Sequence, residues 1–178
     1  MQLPENHGLF GDVTIPVLLE GAWRDIAVKD LSLHKGQFVI LAWTGRSFKQ
    51  VEAHTCLPLG PSHSLIKIEL QNKKRLILSG GCSLPEANPK FASEKIPSSV
   101  GLLSSKAETL KTGLSLVSCG ESGIEKAHHN IAGIQRLYPL KIAKIKSYKC
   151  EEPEMVYNLS VPNYKNVLLS CGALFITN

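Results

Sequence analysis

The sequence predicts an all-β fold, on three observations. Short apolar runs are set among polar residues with a period near two, as where Leu65, Ile66, Ile68 and Leu70 are spaced through residues 64–71. Glycine, proline and asparagine punctuate these runs at short intervals, which gives strand after strand with tight connections. No segment carries apolar residues at the i, i+3, i+4 spacing of a long amphipathic helix.

Taken in order, residues 1–7 are polar, contain Pro4 and show no periodicity, so they read as something attached to the domain. Residues 13–19 read as a strand, Glu20-Gly21 as a hairpin tip and residues 22–28 as the return. Residues 31–36 form a loop or single turn. Residues 38–43, Phe-Val-Ile-Leu-Ala-Trp, form a buried strand that ends at Thr44-Gly45, and residues 48–56 lead outward again. Pro58, Gly60 and Pro61 mark residues 57–63 as a turn region, because proline cannot donate to a strand ladder. Residues 64–71 and 76–78 make a hairpin with Asn72-Lys73 at its tip. Residues 83–105, rich in Ser, Pro and Lys, read as loops with one short strand at 100–103. Residues 119–135 form a polar loop. Residues 137–149 are a long strand. The alternation in residues 156–161 and around Leu174 and Ile176 reads as two half-buried strands joined by the polar turn Pro162-Asn163-Tyr164-Lys165.

Composition permits a single buried core and excludes several classes. A chain of 178 residues with 43% hydrophobic content is expected to form one domain. Runs such as residues 38–43 are far shorter than the roughly 20 apolar residues a bilayer-spanning helix requires. Residues 1–7 have neither the basic region nor the apolar core of a signal peptide. The five cysteines, 56, 82, 119, 150 and 171, are odd in number and lack metal-type spacing, so free thiols in a reducing compartment are expected. The net charge of +5 is modest, and the lysines at 141, 144, 146 and 149 fit a solvated strand face. With aromatic residues at 6%, a nucleic-acid footprint is weak. Adjacent His128 and His129 would point to opposite faces of a strand, so they do not read as a metal pair, and His34, His54 and His63 have no partner pattern.

The chain ends on Asn178. An asparagine held in a dry interior can attack its own backbone carbonyl with its amide nitrogen. The ring that closes is a succinimide, and the peptide bond that follows is broken, provided nearby donors steady the oxyanion. The other end carries a matching signal. Gly8-Leu-Phe-Gly-Asp-Val-Thr-Ile15, with the strand and hairpin that follow it, resembles the opening block of the Hint family, the self-processing domains of inteins and hedgehog proteins. Val156-Tyr-Asn-Leu-Ser-Val161 resembles the family's Val-Tyr-Asp-Leu-Thr-Val block, and Leu174-Phe-Ile-Thr-Asn178 its terminal strand ending in His-Asn. The resemblance implies a horseshoe of β-strands with pseudo-two-fold symmetry and adjacent central termini, spanning residues 8–178, with 1–7 as an upstream flank. It implies protein splicing: cleavage at the His7–Gly8 bond, cyclisation of Asn178, and ligation of the flanking segments of a host protein. Residues 119–136 lie where larger inteins carry a homing endonuclease and are too short to hold one, so a mini-intein is expected. No cofactor, metal or small-molecule substrate is called for, and a monomer in the cytoplasm, following its host, is expected.

Several positions depart from the family pattern. Gly8 stands where relatives have a Cys or Ser nucleophile. Three explanations compete: a replacement that traps the precursor, direct attack on the His7 carbonyl by the residue after Asn178, or an internal thiol such as Cys82, Cys150 or Cys171. In place of the family's Thr-x-x-His the chain reads Ser79-Gly80-Gly81-Cys82. Ser79 can take the hydrogen-bonding part of the threonine, and the two glycines leave amides free to approach the upstream carbonyl. Cys82 is no proton donor at neutral pH unless a cationic neighbour lowers its pKa. Asn158 replaces the aspartate and cannot ionise. Thr177 stands at the usual histidine position, and Lys165 is a candidate donor near the place of a second histidine. Two other classes stay open: a Hint domain that only cleaves, and a non-catalytic basic β domain that binds nucleic acid or protein.

Overall fold

The computed structural model describes residues 7–87, 103–119, 131, 133–134 and 136–177. Asn178, the flank before His7, His128 and His129 lie outside the described residues. The architecture is all-β, as the alternation predicted. Strands β1 (Leu9–Phe10), β2 (Thr14–Leu19) and β3 (Ala22–Ala27) are followed by one helical turn, α1 (Val28–Leu31). Then come β4 (Phe38–Trp43), β5 (Phe48–Ala53), β6 (Thr55–Leu70), β7 (Arg75–Leu78) and β8 (Ser83–Ala87). The chain continues with β9 (Leu103–Lys106), β10 (Ser115–Ser118), β11 (Tyr138–Ser160), β12 (Asn166–Leu168) and β13 (Leu174–Ile176). The β2–β3 tip at Glu20 and Gly21 has φ of 51° and 77°, the left-handed pair that a two-residue hairpin needs to match strand twist.

A seven-stranded sheet runs β1-β7-β6-β11-β10-β8-β9, and a four-stranded sheet runs β3-β2-β4-β5. In the larger sheet β1 also pairs with β11, so β1, β7, β6 and β11 close a circuit. Leu9 therefore lies opposite Leu78 on one side and Tyr157 on the other. The short first strand is driven into this slot by Leu9, which is fully buried in the core with Ile15, Ile68, Leu78, Leu116 and Phe175. Burial of one such side chain is worth about 1.5–3 kcal/mol, enough to anchor a strand only two residues long. A second cluster gathers Trp43, Phe48, Leu137, Leu168 and Leu174.

Three expectations need correction. Residues 57–63 are strand, part of β6, despite Pro58, Gly60 and Pro61. Across this stretch β6 has β11 as its sheet neighbour, since β7 reaches only residues 66–69. Register shifts between Lys149 and Glu154 and between Val156 and Tyr157 absorb the irregularity. Residues 83–87, expected as loop, form β8, which pairs with β10. Finally, the strands around 156–161 and 174–176 are not partners: the first is the end of the 23-residue β11, and β13 pairs instead with β12. The Pro162–Lys165 turn does exist, with Asn163 and Lys165 at φ of 74° and 53°. It feeds β12, however, and β12 and β13 are almost wholly buried rather than half-buried.

Candidate active site

The site grows from the two ends of the β1 slot. Ser79 follows Leu78 directly, and Asn158 follows Tyr157, so the register that pairs Leu9 with Leu78 and Tyr157 brings Gly8 between Ser79 and Asn158. Ser79 is fully buried, and its hydroxyl oxygen accepts the Gly8 N–H at 2.8 Å. The Ser79 N–H donates to the Gly8 carbonyl at 3.0 Å. The Ser79 hydroxyl has two neighbours for its own proton, the Gly8 carbonyl at 3.3 Å and the Cys82 Sγ at 3.5 Å. The Cys82 N–H closes the turn onto the Ser79 carbonyl at 3.2 Å. Ser79 thus grips the nitrogen of the His7–Gly8 bond and the carbonyl of the residue after it.

Gly8 is packed so closely that a Cβ would lie 2.5 Å from the Tyr157 carbonyl oxygen. The backbone of β11, rather than a side chain, fills the space where a nucleophile would project. Neighbouring Asn158 is buried, and its Oδ1 accepts the Leu159 N–H at 2.8 Å, which turns the amide so that Nδ2 remains as a donor. The His7 imidazole lies on Gly81, where a Cβ would overlap the ring.

All five cysteines carry free thiols. Burial pushes Cys82 up to about 11, with the hydrogen bonds to Ser79 offsetting part of the rise. Burial likewise pushes Cys171 up to about 11. Cys150 is also raised, by desolvation first and then by Glu154. None of these three sulfurs is drawn toward the thiolate form that nucleophilic attack requires. No group of three or more His, Cys, Asp or Glu side chains among the described residues is arranged to hold a cation.

The C-terminal hairpin is pinned from several sides. The Asn166 side chain acts as a surrogate strand: its Oδ1 accepts the Trp43 N–H and its Nδ2 donates to the Trp43 carbonyl, both at 2.8 Å. The Ser170 hydroxyl donates to Asp25 Oδ1 at 2.9 Å, and the Ser170 N–H donates to the Thr14 carbonyl at 3.0 Å. Asn72 Nδ2 donates to the Cys171 carbonyl at 2.9 Å. At the end of β13 the Thr177 N–H donates to the Lys165 carbonyl at 2.9 Å. Lys165 thus engages the site through its main chain, while its side chain is exposed. The Thr177 hydroxyl is buried with no hydrogen-bond partner among the described residues. Strand β13 packs on β8, the strand that starts one residue after Cys82. The hairpin that leads to Asn178 and the turn that holds Gly8 are therefore joined through one short strand.

Sequence reasoning singled out Gly8, Ser79, Cys82 and Asn158, and the fold brings these four together. It missed Asn166 and Gly81 in the parts they play here. A buried asparagine that opens an apolar strand was the only available hint of the first.

No protein-family model matches the chain, and no curated protein does. Among solved structures, a DnaB intein from Synechocystis superposes with a TM-score of 0.69 at 12% identity, covering 97% of this chain and 99% of that one. The transcription factor IIB Mvu mini-intein gives 0.68 at 17% identity, with 97% and 100% covered. An intein from a hyperthermophile gives 0.72 at 12% identity, with 97% and 100% covered. Nearly the whole chain is accounted for by each: the fold of this chain is the all-β Hint fold of the mini-inteins.

Proposed function

We propose that this chain is an intein, a domain embedded in a host protein that excises itself and joins the flanking segments. The observation that carries the reading is the seating of β1 between β7 and β11, which presses the amide of the His7–Gly8 bond onto Ser79, while β13, the last strand, packs on β8.

The packing around Gly8 favours one of the three routes open to a chain without a nucleophile there. Replacement of a native cysteine fits poorly with a Cβ position 2.5 Å from main-chain oxygen. Internal attack by Cys82, Cys150 or Cys171 fits poorly with thiols that desolvation raises, Cys82 and Cys171 up to about 11. The supported route is direct attack by a hydroxyl or thiol of the residue after Asn178 on the His7 carbonyl carbon. The His7–Gly8 bond breaks, Gly8 leaves as an amine, and the proton released by the nucleophile ends on that nitrogen. Ser79 Oγ, which accepts the Gly8 N–H at 2.8 Å, holds that nitrogen in place while its lone pair takes the proton. The upstream segment is then held as an ester or thioester on the downstream residue.

Asn178 completes the cycle. Its amide nitrogen closes on its own carbonyl carbon, the bond to the downstream residue breaks, and the freed amine takes the acyl group from oxygen or sulfur to form the new peptide bond. The buried Thr177 hydroxyl, a donor with no acceptor among the described residues, is suited to the developing charge on the Asn178 carbonyl oxygen. Raising succinimide formation from days to minutes requires about a thousandfold, or roughly 4 kcal/mol, which two or three such donors supply. Lys165 holds Thr177 in place through its carbonyl.

The test is to fuse unrelated proteins to both ends. A ligated product that is lost on Asn178→Ala supports splicing, fragments without ligation indicate a domain that only cleaves, and a fusion unaltered under all conditions refutes self-processing.

A further inference from the structure

We propose that the domain selects the residue upstream of its cut through Gly81, whose bare backbone is a floor that admits a planar ring at position 7. This inference rests on the reading of the chain as an intein. The three atoms nearest a Cβ built on Gly81 are Cε1, Nδ1 and Nε2 of His7, so the ring itself occupies the volume a side chain would take.

Gly81 is absent from the residues with positive φ, so its backbone conformation is open to any L-residue. The contrast with Gly8 is informative. There the obstacle to a side chain is the main chain of β11, which cannot yield cheaply, whereas at Gly81 the obstacle is the far end of a flexible side chain from the flank. An alanine at 81 would therefore meet the imidazole first, and the imidazole, at the end of a flexible side chain, can move aside. Turn residues 79–82 then read the junction twice. Ser79 grips the main chain on either side of Gly8, and Gly81 receives the side chain before it.

The contact defines a chemical class. A flat ring carried on a methylene, as in His, Phe or Tyr, can lie face-down on a peptide unit. A β-branched residue at position 7 carries two heavy atoms on Cβ and a stiff χ1, so it cannot present a flat face to the same surface. Glycine at position 7 makes no contact with the floor and is indifferent to what stands at 81.

The experiment is a grid of fusions carrying His7, His7→Phe, His7→Val or His7→Gly, each with Gly81 or Gly81→Ala, with rates of upstream bond cleavage measured. With Gly81 retained, His7 and His7→Phe should react at similar rates and His7→Val about tenfold or more slower. Gly81→Ala should slow the His7 and His7→Phe fusions about tenfold or more beyond any slowing of the His7→Gly fusion. Equal slowing of all four, or of none, overturns the selection. A second readout does not need the reaction: in the full chain bearing Asn178→Ala, the His7 ring protons should show nuclear Overhauser contacts to the Gly81 α-protons. If those contacts are absent the proposal fails whatever the rates. If they are present and no fusion processes, it is the intein reading that fails, and the selection with it.

Discussion

Installing the family's nucleophile by Gly8→Cys should damage this site rather than restore it. A Cβ at Gly8 would sit 2.5 Å from the Tyr157 carbonyl oxygen and 2.9 Å from the Tyr157 nitrogen. Relief to a van der Waals separation near 3.5 Å needs a backbone displacement of about 1 Å. The two groups opposing it are main chain in a paired strand, since Leu9 and Phe10 are laddered to Tyr157 and Val156. A shift of that size would also stretch the Gly8 N–H to Ser79 Oγ bond from 2.8 Å and the Ser79 N–H to Gly8 carbonyl bond from 3.0 Å beyond useful range. Overpacking of this kind costs about 1–3 kcal/mol, and two weakened buried hydrogen bonds add about 1 kcal/mol each. The expected destabilisation is therefore about 3–5 kcal/mol, which at a urea dependence near 2 kcal/mol/M lowers the unfolding midpoint by about 1.5–2.5 M. The assay is urea unfolding of the Asn178→Ala chain with and without Gly8→Cys, alongside fusions probed with dithiothreitol for a thioester at residue 8. A cysteine variant of undiminished stability that yields a thiol-cleavable upstream fragment faster than the parent would refute the packing argument and mark Gly8 as a substitution for a lost nucleophile.

Three further outcomes are expected. Asn166→Ala strips both partners from the buried Trp43 main chain and should destabilise by about 2–4 kcal/mol in urea or thermal unfolding, since each abandoned group carries about 1–2 kcal/mol of desolvation. Thr177→Val removes a buried hydroxyl that has no partner among the described residues, so the chain should become more stable by about 1 kcal/mol while release of the downstream segment slows about tenfold or more. A variant both more stable and undiminished in release would show the hydroxyl to be idle. Burial pushes Cys56 and Cys119 up to about 12 and Cys82 and Cys171 up to about 11, from an ordinary value of 9.0. Above that ordinary value the unfolded chain loses thiol protons that the folded chain keeps, so the folded state binds more protons and stability falls as pH rises from about 9 toward 11–12. Urea unfolding as a function of pH reads this directly, and replacing the four cysteines by alanine should flatten the alkaline limb relative to the parent.

How much of this was legible beforehand depends on whether a feature is local. The hairpin tip at Glu20-Gly21, the buried run of β4 and the Lys73 tip follow from neighbouring residues alone, and all stand where alternation and turn chemistry put them. Prolines 58 and 61 misled because their penalty depends on which edge of the strand they face and how the partner's register bends, and neither is written within seven residues. The partner of β13 misled for the same reason. Alternation marks a strand but not its neighbour, and here β12, too short to show a period, takes the place expected of residues 156–161.

By itself the sequence determined the class of fold, its tight turns, the absence of a side chain at Gly8 and the chemistry available in Ser79, Cys82, Asn158 and Thr177, since each is a property of residue type or of immediate neighbours. Tertiary structure decided which of these groups meet. Only the closed circuit of β1, β7, β6 and β11 brings Ser79 onto an amide 71 positions away, and only the walls of that circuit show that Gly8 is hemmed in by main chain. It also raised the thiols well above their ordinary range and laid His7 on Gly81, because burial and van der Waals exclusion depend on what the rest of the chain folds against a residue, which no local pattern encodes.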